Sequence, residues 1–335
     1  MGHLMILKTT ITMNRLFQTE TLSEILAVPE SKYQIQRVFG DYIYKNDLHI
    51  LVGDSNVGKT ILAMDIALML SGHNFWDSDD KKMCEAKGKV LYLDFEMQNS
   101  QIYWRYHSKL KSLGKNIIRA NLSVSGYGAN KNAVMEELQT MIESNKPSLI
   151  IIDNLSSLLN NSGSYKETNE VMLRLKAMKD SYDTTIIAIA HCKKRKKDKP
   201  IEMNSIYGSS AISKLADSIS ALGESAQDPS LKYLKMLKTR SSRKTDDVAL
   251  LKVETEPYLH LHFQEWDVEE AHLANKVKGR PRSAITDETR DLILKLKEKN
   301  LPIREIEAQT GCSRSSIGRF LKSLKEDNNT DKYEK

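Results

Sequence analysis

Gly53-Asp54-Ser55-Asn56-Val57-Gly58-Lys59-Thr60 meets the spacing G-x-x-x-x-G-K-[ST] at every fixed position. Before it, Leu48-His49-Ile50-Leu51-Val52 reads as a buried strand; after it, Ile61 to Leu70 reads as a helix. A glycine-bracketed loop between strand and helix turns amide N–H groups inward, and the helix start adds positive potential. Such a loop suits a polyphosphate. Gly53, Asp54, Ser55, Asn56, Val57 and Gly58 would wrap it, Lys59 would reach the β- and γ-phosphates, and Thr60 would ligate Mg²⁺. ATP with Mg²⁺ is therefore the expected ligand pair.

Working outward, apolar strands alternate with helices. Val90–Phe95, Leu149–Asp153 and Thr184–Ala190 read as strands; Ser100–Leu113, Asn132–Ser144 and Lys166–Tyr182 read as helices. Continuous apolar strands between helices imply a mainly parallel sheet covered on both faces, an α/β fold. Ser218–Leu222, Leu231–Lys238, Val248–Thr255 and Tyr258–Gln264 are short strand candidates with little helix between them, an expected antiparallel extension. Residues 1–29 read as a polar N-terminal segment with a short helix near Ser23–Leu26, 30–266 as the α/β domain and 267–279 as a linker. Residues 280–326 read as a small all-α unit and 327–335 as a disordered tail.

Bulk properties narrow the classes. A chain of 335 residues suggests two domains. No segment approaches the ~18 apolar residues needed to span a membrane. The first residues lack a signal-peptide pattern. Cys84, Cys192 and Cys312 are too far apart in sequence to form metal-ligand pairs. A soluble, cytoplasmic chain with reduced thiols and no membrane partner is expected. The net charge is +6, and residues 276–335 hold 15 Lys and Arg against 10 Asp and Glu, nearly all of that surplus. A basic end on a near-neutral body points to nucleic acid, with a solvated tail as the alternative.

A phosphate loop needs an acid on the metal side. Ile150-Ile151-Ile152-Asp153 ends a strand in Asp, so Asp153 would hold Mg²⁺; the alternative is a cap on the next turn. Asn154 follows where many such enzymes carry Glu. The base must then come from elsewhere, and Asp94-Phe95-Glu96 ends another strand at the same crevice. Glu96 is the candidate base and Asp94 its competitor. Ile189-Ala190-His191 closes a further strand, placing His191 beside the γ-phosphate or, alternatively, in a structural role.

These four elements resemble the RecA-type ATPase core and, more narrowly, the RepA/DnaB hexameric helicase group. The resemblance covers roughly residues 30–265. It implies Glu96 as catalytic base, Asp153 as metal acid and His191 as γ-phosphate sensor. It also implies a ring-shaped homohexamer with nucleotide between subunits. Lys238 and Arg240, two apart on the strand Lys235–Arg240, match the Lys-x-Arg finger pair that a DnaB-like neighbour supplies in trans. A solvated strand edge guarded by charge is the alternative, and Arg243 the fallback.

Two stretches suit DNA. Lys193-Lys194-Arg195-Lys196-Lys197-Asp198-Lys199 directly follows the His191 strand, and six cations in seven residues make it an exposed loop. In RecA-like rings the corresponding loop faces a channel holding a single strand. Further on, Asp287–Lys299, Ile303–Gln309 and Arg314–Lys325 read as three helices with Gly311 in the second turn, a helix-turn-helix pattern. This part resembles the DNA-binding domain of Hin-like recombinases. That resemblance puts Arg280 and Arg282 in the minor groove and Ser313, Arg314, Ser315, Ser316 and Arg319 toward the major groove. A protein-docking unit is the alternative.

The leading expectation is a DNA-stimulated ATPase of the RepA-like helicase type, replicating a plasmid or mobile element. A primase or initiator protein would be its partner. An ATP-switched DNA-binding regulator and a filament-forming recombinase are the other two readings.

Overall fold

The computed structural model describes residues 19–29, 35–73, 83–107, 114–122, 130–159, 164–193, 198–207, 209–274, 287–299, 301–312, 317 and 320–321. The chain divides into two compact units, residues 1–274 and 275–335.

Among the described residues of the larger unit, the first element is a single-turn helix, α1 (Leu22–Leu26), closed by a capping box between Thr21 and Glu24. A small antiparallel pair follows, β1 (Arg37–Phe39) and β2 (Ile43–Tyr44). The main chain of events is then strand–helix alternation: β3 (Leu48–Gly53), α2 (Lys59–Leu70), β4 (Val90–Asp94), α3 (Asn99–Tyr106), β5 (Ile117–Asn121), α4 (Lys131–Asn145), β6 (Leu149–Asp153), α5 (Tyr165–Tyr182) and β7 (Thr185–His191). After α6 (Ser209–Leu215) come β8 (Ser218–Glu224), β9 (Leu231–Lys238), β10 (Asp247–Glu254) and β11 (His260–Val268).

Nine of these strands form one sheet in the order β11-β10-β9-β8-β3-β7-β6-β4-β5. β3, β4, β5, β6, β7 and β8 run parallel, and β9, β10 and β11 continue antiparallel. Ser218–Leu222 was expected in the antiparallel part. Instead β8 lies parallel beside β3, because α6 provides the crossover that a parallel return requires.

Alternation along the strands sorts the core into two layers. Leu51, Tyr92, Ile151, Ile187 and Ile189 face α2, with Tyr258 and Leu261 closing over it. Leu48, Ile50, Val52, Leu91, Ile150, Ile152, Ile186 and Ala188 face the side covered by α4, α5 and α6. α2 is buried along nearly its whole length, which explains why it is apolar all round. Inside the sheet His49 is fully buried, with its ring nitrogens bonded to Ser218 Oγ at 2.8 Å and Ser220 Oγ at 2.9 Å. Burial pushes its pKa down to about 3, so it is a neutral, structural histidine.

Residues 267–272, expected in a linker, belong to this fold. β11 runs to Val268, and Glu269 and His272 are buried in the turn beyond it. Glu269 accepts the Ile201 N–H at 2.8 Å and pairs with Lys235.

The smaller unit contains α7 (Asp287–Glu298) and α8 (Ile303–Thr310). Ile293, Leu296, Ile306, Cys312 and Ile317 make its core, with Phe320 and Leu321 packed against them. Gly311 ends α8 with φ +74°, the left-handed conformation expected of it. Ile317, Phe320 and Leu321 are helical; the rest of Arg314–Lys325 lies outside the described residues.

Asp65 on α2 is fully buried. Its Oδ2 accepts the Leu261 N–H at 2.9 Å, which ties β11 to the helix. Burial raises its pKa well above the usual carboxylate value. A raised carboxylate pKa stabilises the fold fully below the unfolded value of ~3.9, and that stability is lost as pH rises through the folded value. Asp65→Asn keeps an acceptor and removes the titration. Melting temperatures from pH 4 to pH 8 should show the variant gaining steadily on the wild type; a constant gap would show that Asp65 does not titrate in this window.

Candidate active site

The site lies at the C-terminal edge of the parallel strands, where register brings their last residues level. Gly53 of β3 pairs with His191 of β7, and Asp94 of β4 pairs with Asp153 of β6. The loop Gly53–Thr60 rises from the middle of this edge. Gly58 caps α2 with φ +105°, a conformation that favours glycine. A Cβ on Gly53 would sit 2.5 Å from the Leu222 carbonyl oxygen of β8, so this strand end too tolerates no side chain.

Lys59 is buried and folds back over the loop. Its Nζ donates to the carbonyl oxygens of Gly53 at 3.1 Å and Asp54 at 2.7 Å. Burial lowers its pKa. Thr60 Oγ1 donates to Asp153 Oδ2 at 2.7 Å, and Tyr92 OH donates to the same oxygen at 3.0 Å. Burial pushes the Asp153 pKa up to about 6; the Thr60 hydrogen bond opposes it and the Glu96 charge adds to it. The cap on the turn after β6 comes from Asn154, whose Oδ1 accepts the Ser157 N–H at 3.2 Å. Asp153 is therefore not the cap. Its carboxylate and the Thr60 hydroxyl form an oxygen donor set that fits a hard cation such as Mg²⁺.

Glu96 and His191 meet across Asn154. Asn154 Nδ2 donates to Glu96 Oε1 and lies 3.3 Å from His191 Nε2. His191 Nε2 is 3.8 Å from Glu96 Oε1. Glu96 remains about half exposed at 47 %, open to an incoming water, while His191 is 33 % exposed. Burial, and then the Lys59 charge, lower the His191 pKa.

Asp94, the competing base, is removed from that role. It is buried and ion-paired with Arg119 Nε at 2.8 Å, and its Oδ1 accepts the N–H groups of Glu96 at 3.0 Å and Met97 at 2.8 Å. Arg119, from edge strand β5, also bonds the Met97 carbonyl and Asn99 Oδ1. Asp94 and Arg119 thus fix the turn that presents Glu96. Neither Asn154 nor Arg119 was singled out for such a role by the sequence: β5 carries no motif, and Asn154 registered only as a missing Glu.

Around these groups lies a cleft of about 650 Å³, lined by Ser55, Asn56, Lys59, Glu96, Asp153 and His191 among others. α3 adds Gln101 and Arg105, one helical turn apart. A family model for an AAA domain matches residues 16–197, more than half of the chain. The chain belongs to this family. It is an ATPase of the P-loop class, and the AAA domain match runs from before β1 to just past β7. A search of curated proteins finds no match to the chain.

The remaining expected site residues lie elsewhere. Lys238 Nζ donates to the carbonyl oxygens of Ser213, at 2.7 Å, and Ala216. Arg240, two residues beyond the end of Lys238 and of β9, pairs with Asp217 Oδ1 at 2.9 Å and with the Lys214 carbonyl at 3.3 Å. Both cations therefore cluster at the C-terminal end of α6. Lys193 Nζ donates to the Asn204 carbonyl at 3.2 Å. Lys194, Arg195, Lys196 and Lys197 lie outside the described residues, as do Arg280, Arg282, Ser313, Arg314, Ser315, Ser316 and Arg319. Among the described residues no helix is long and apolar enough to cross a membrane.

Arg119→Ala tests the support of Glu96. Misplacing a catalytic group by about 1 Å costs about 10²-fold. Turnover of ATP should fall by that order while nucleotide affinity stays within a few-fold of wild type. Loss of affinity in step with turnover would show that Arg119 acts on binding instead.

Proposed function

We propose that the chain is a DNA-stimulated ATPase of the RepA-like helicase type, working as a ring with nucleotide at subunit interfaces. The observation that carries the hydrolytic part is the convergence of Glu96, Asn154 and His191 beside Lys59, Thr60 and Asp153. Glu96 takes the proton from the attacking water, and Asn154 holds its carboxylate in place. Lys59 exchanges its two loop carbonyls for phosphate oxygens. Thr60 and Asp153 would hold Mg²⁺, which would supply positive charge to the phosphates. His191 touches the Glu96–Asn154 pair and lies within the cleft, so it registers departure of the γ-phosphate and passes the change to the chain that follows it. That chain is the basic stretch 193–199, whose composition suits single-stranded DNA. In the C-terminal unit, α7, α8 and the left-handed Gly311 after α8 support a duplex-binding helix-turn-helix on the same chain.

The deciding experiment is ATP turnover of purified protein with and without single-stranded DNA, beside Glu96→Gln. Stimulation by DNA that the substitution abolishes supports the motor. Unstimulated turnover with duplex binding retained would replace it with an ATP-switched regulator.

The trans role of Lys238 and Arg240 has its own test. Arg240→Ala alone and Lys59→Ala alone should each lose about 10³-fold or more in turnover. Mixing the two proteins should restore activity, since a phosphate loop from one variant then meets a finger from the other. Full activity of Arg240→Ala alone, or an inactive mixture, would refute the finger.

A further inference from the structure

The β10–β11 hairpin carries a cluster that ATP chemistry does not use. Glu254 and His260 are directly paired across the two antiparallel strands, and His262 is two residues on along β11. Alternation puts His260 and His262 on one face of the strand. One potential ligand atom from each of Glu254, His260 and His262 lies within 4.8 Å of the others.

The orientation of His260 adds a second, independent observation. Its Nδ1 lies 2.8 Å from the Tyr258 carbonyl oxygen, which can only accept, so Nδ1 bears the proton. Nε2 then turns toward Glu254 Oε2 at 3.7 Å. That separation is too long for a hydrogen bond. It is close to the ~3.3 Å that separates two ligands on a tetrahedral ion with bonds of ~2.0–2.1 Å. A histidine whose other nitrogen is held by a backbone carbonyl is the usual form of a metal-ligating imidazole. The backbone between the two histidines is fixed as well: Leu261 is fully buried and its N–H is held by Asp65. His260 is buried, whereas Glu254 is partly exposed and His262 exposed, so the cluster opens to solvent on one side.

We propose that Glu254, His260 and His262 form a site for a divalent transition cation of the zinc type. Two imidazoles and one carboxylate give three ligands, and water completes the fourth position. This set is too nitrogen-rich for Mg²⁺ and separate from the oxygen set of Thr60 and Asp153. The bound ion clamps β11, the edge strand of the nine-stranded sheet, to β10 and so secures the strand that Asp65 ties to α2.

The test is titration of the full-length, chelator-stripped protein with Zn²⁺ against a chromophoric chelator in excess Mg²⁺, with Co²⁺ as spectroscopic probe. One equivalent should bind, and the Co²⁺ complex should show the intense visible absorption of a low-coordinate site. His262→Gln and Glu254→Gln should each weaken Zn²⁺ binding by about tenfold or more and remove that absorption. His262 is exposed, so its variant keeps the fold. Affinity that is the same in wild type and in the Glu254→Gln/His262→Gln double variant, or Co²⁺ absorption unchanged in the variants, would overturn the site.

Discussion

Everything at the nucleotide end of this protein depends on four parallel strands stopping at the same level. β3, β7, β6 and β4 are neighbours, and their registers place Gly53 beside His191 and Asp153 beside Asp94. A shift of one residue in β6 would turn Asp153 into the core and Ile152 toward the cleft. The apolar runs before each terminal residue prevent that shift. Ile150, Ile151 and Ile152 are all fully buried, with neighbours filling both faces, so Asp153 is held at the rim by the packing behind it. The chemistry is polar, but its geometry is set by aliphatic side chains several residues away.

The rim also concentrates negative charge, and the fold handles each acid differently. Asp94 is buried and neutralised by Arg119, which converts it from a reactive group into a brace for the Glu96 turn. Asp153 is buried among hydroxyls, so its pKa rises to about 6 and a cation in place of a proton would relieve the cost of its charge. Glu96 alone keeps substantial exposure and an amide partner without charge. Three carboxylates at this rim thus receive three environments: ion-paired, buried among hydroxyls, and half exposed beside an amide. Lys59 lines the same cleft, and its contacts with two backbone carbonyls are ones that phosphate oxygens can replace.

How much of this was legible in the sequence follows from the range of the interactions. The phosphate loop, the strands flanking it and the acids at strand ends could be read directly, because each is written in a contiguous run. Glu96 and His191 could be placed at the rim because His191 ends one apolar strand and Glu96 follows the end of another. Arg119 could not: its partner Asp94 is 25 residues away, and β5 is a half-buried edge strand with mixed polarity. Asn154 was visible only as an absent Glu, since its contacts are with two side chains that other strands bring in. The direction of β8 was missed for a topological reason. Its sequence suits either pairing, and only the short helix α6 shows that the chain crosses over before entering it. Residues 267–272 looked like linker because they are polar, yet Glu269 is buried against Lys235 and the Ile201 N–H. A satisfied buried charge and a solvated one look alike in sequence.

The position of Lys238 and Arg240 follows from the same register. Lys238 pairs with Ile219, which pairs with Ile50, and Arg240 bonds Asp217, whose carboxylate accepts the Leu48 N–H. Arg240 therefore sits at the start of β3, whereas the phosphate loop leaves from its end. Five residues of strand separate those levels, roughly 16 Å. Strands this well buried do not bend to close that gap. Within one chain, then, the two cations and the phosphate loop occupy opposite edges of one sheet. A cation pair placed this way either braces the end of α6 alone or serves a nucleotide held by another subunit. The bonds to the carbonyls of Ser213, Lys214 and Ala216 suit both, because they fix the direction of two long side chains before any second subunit arrives.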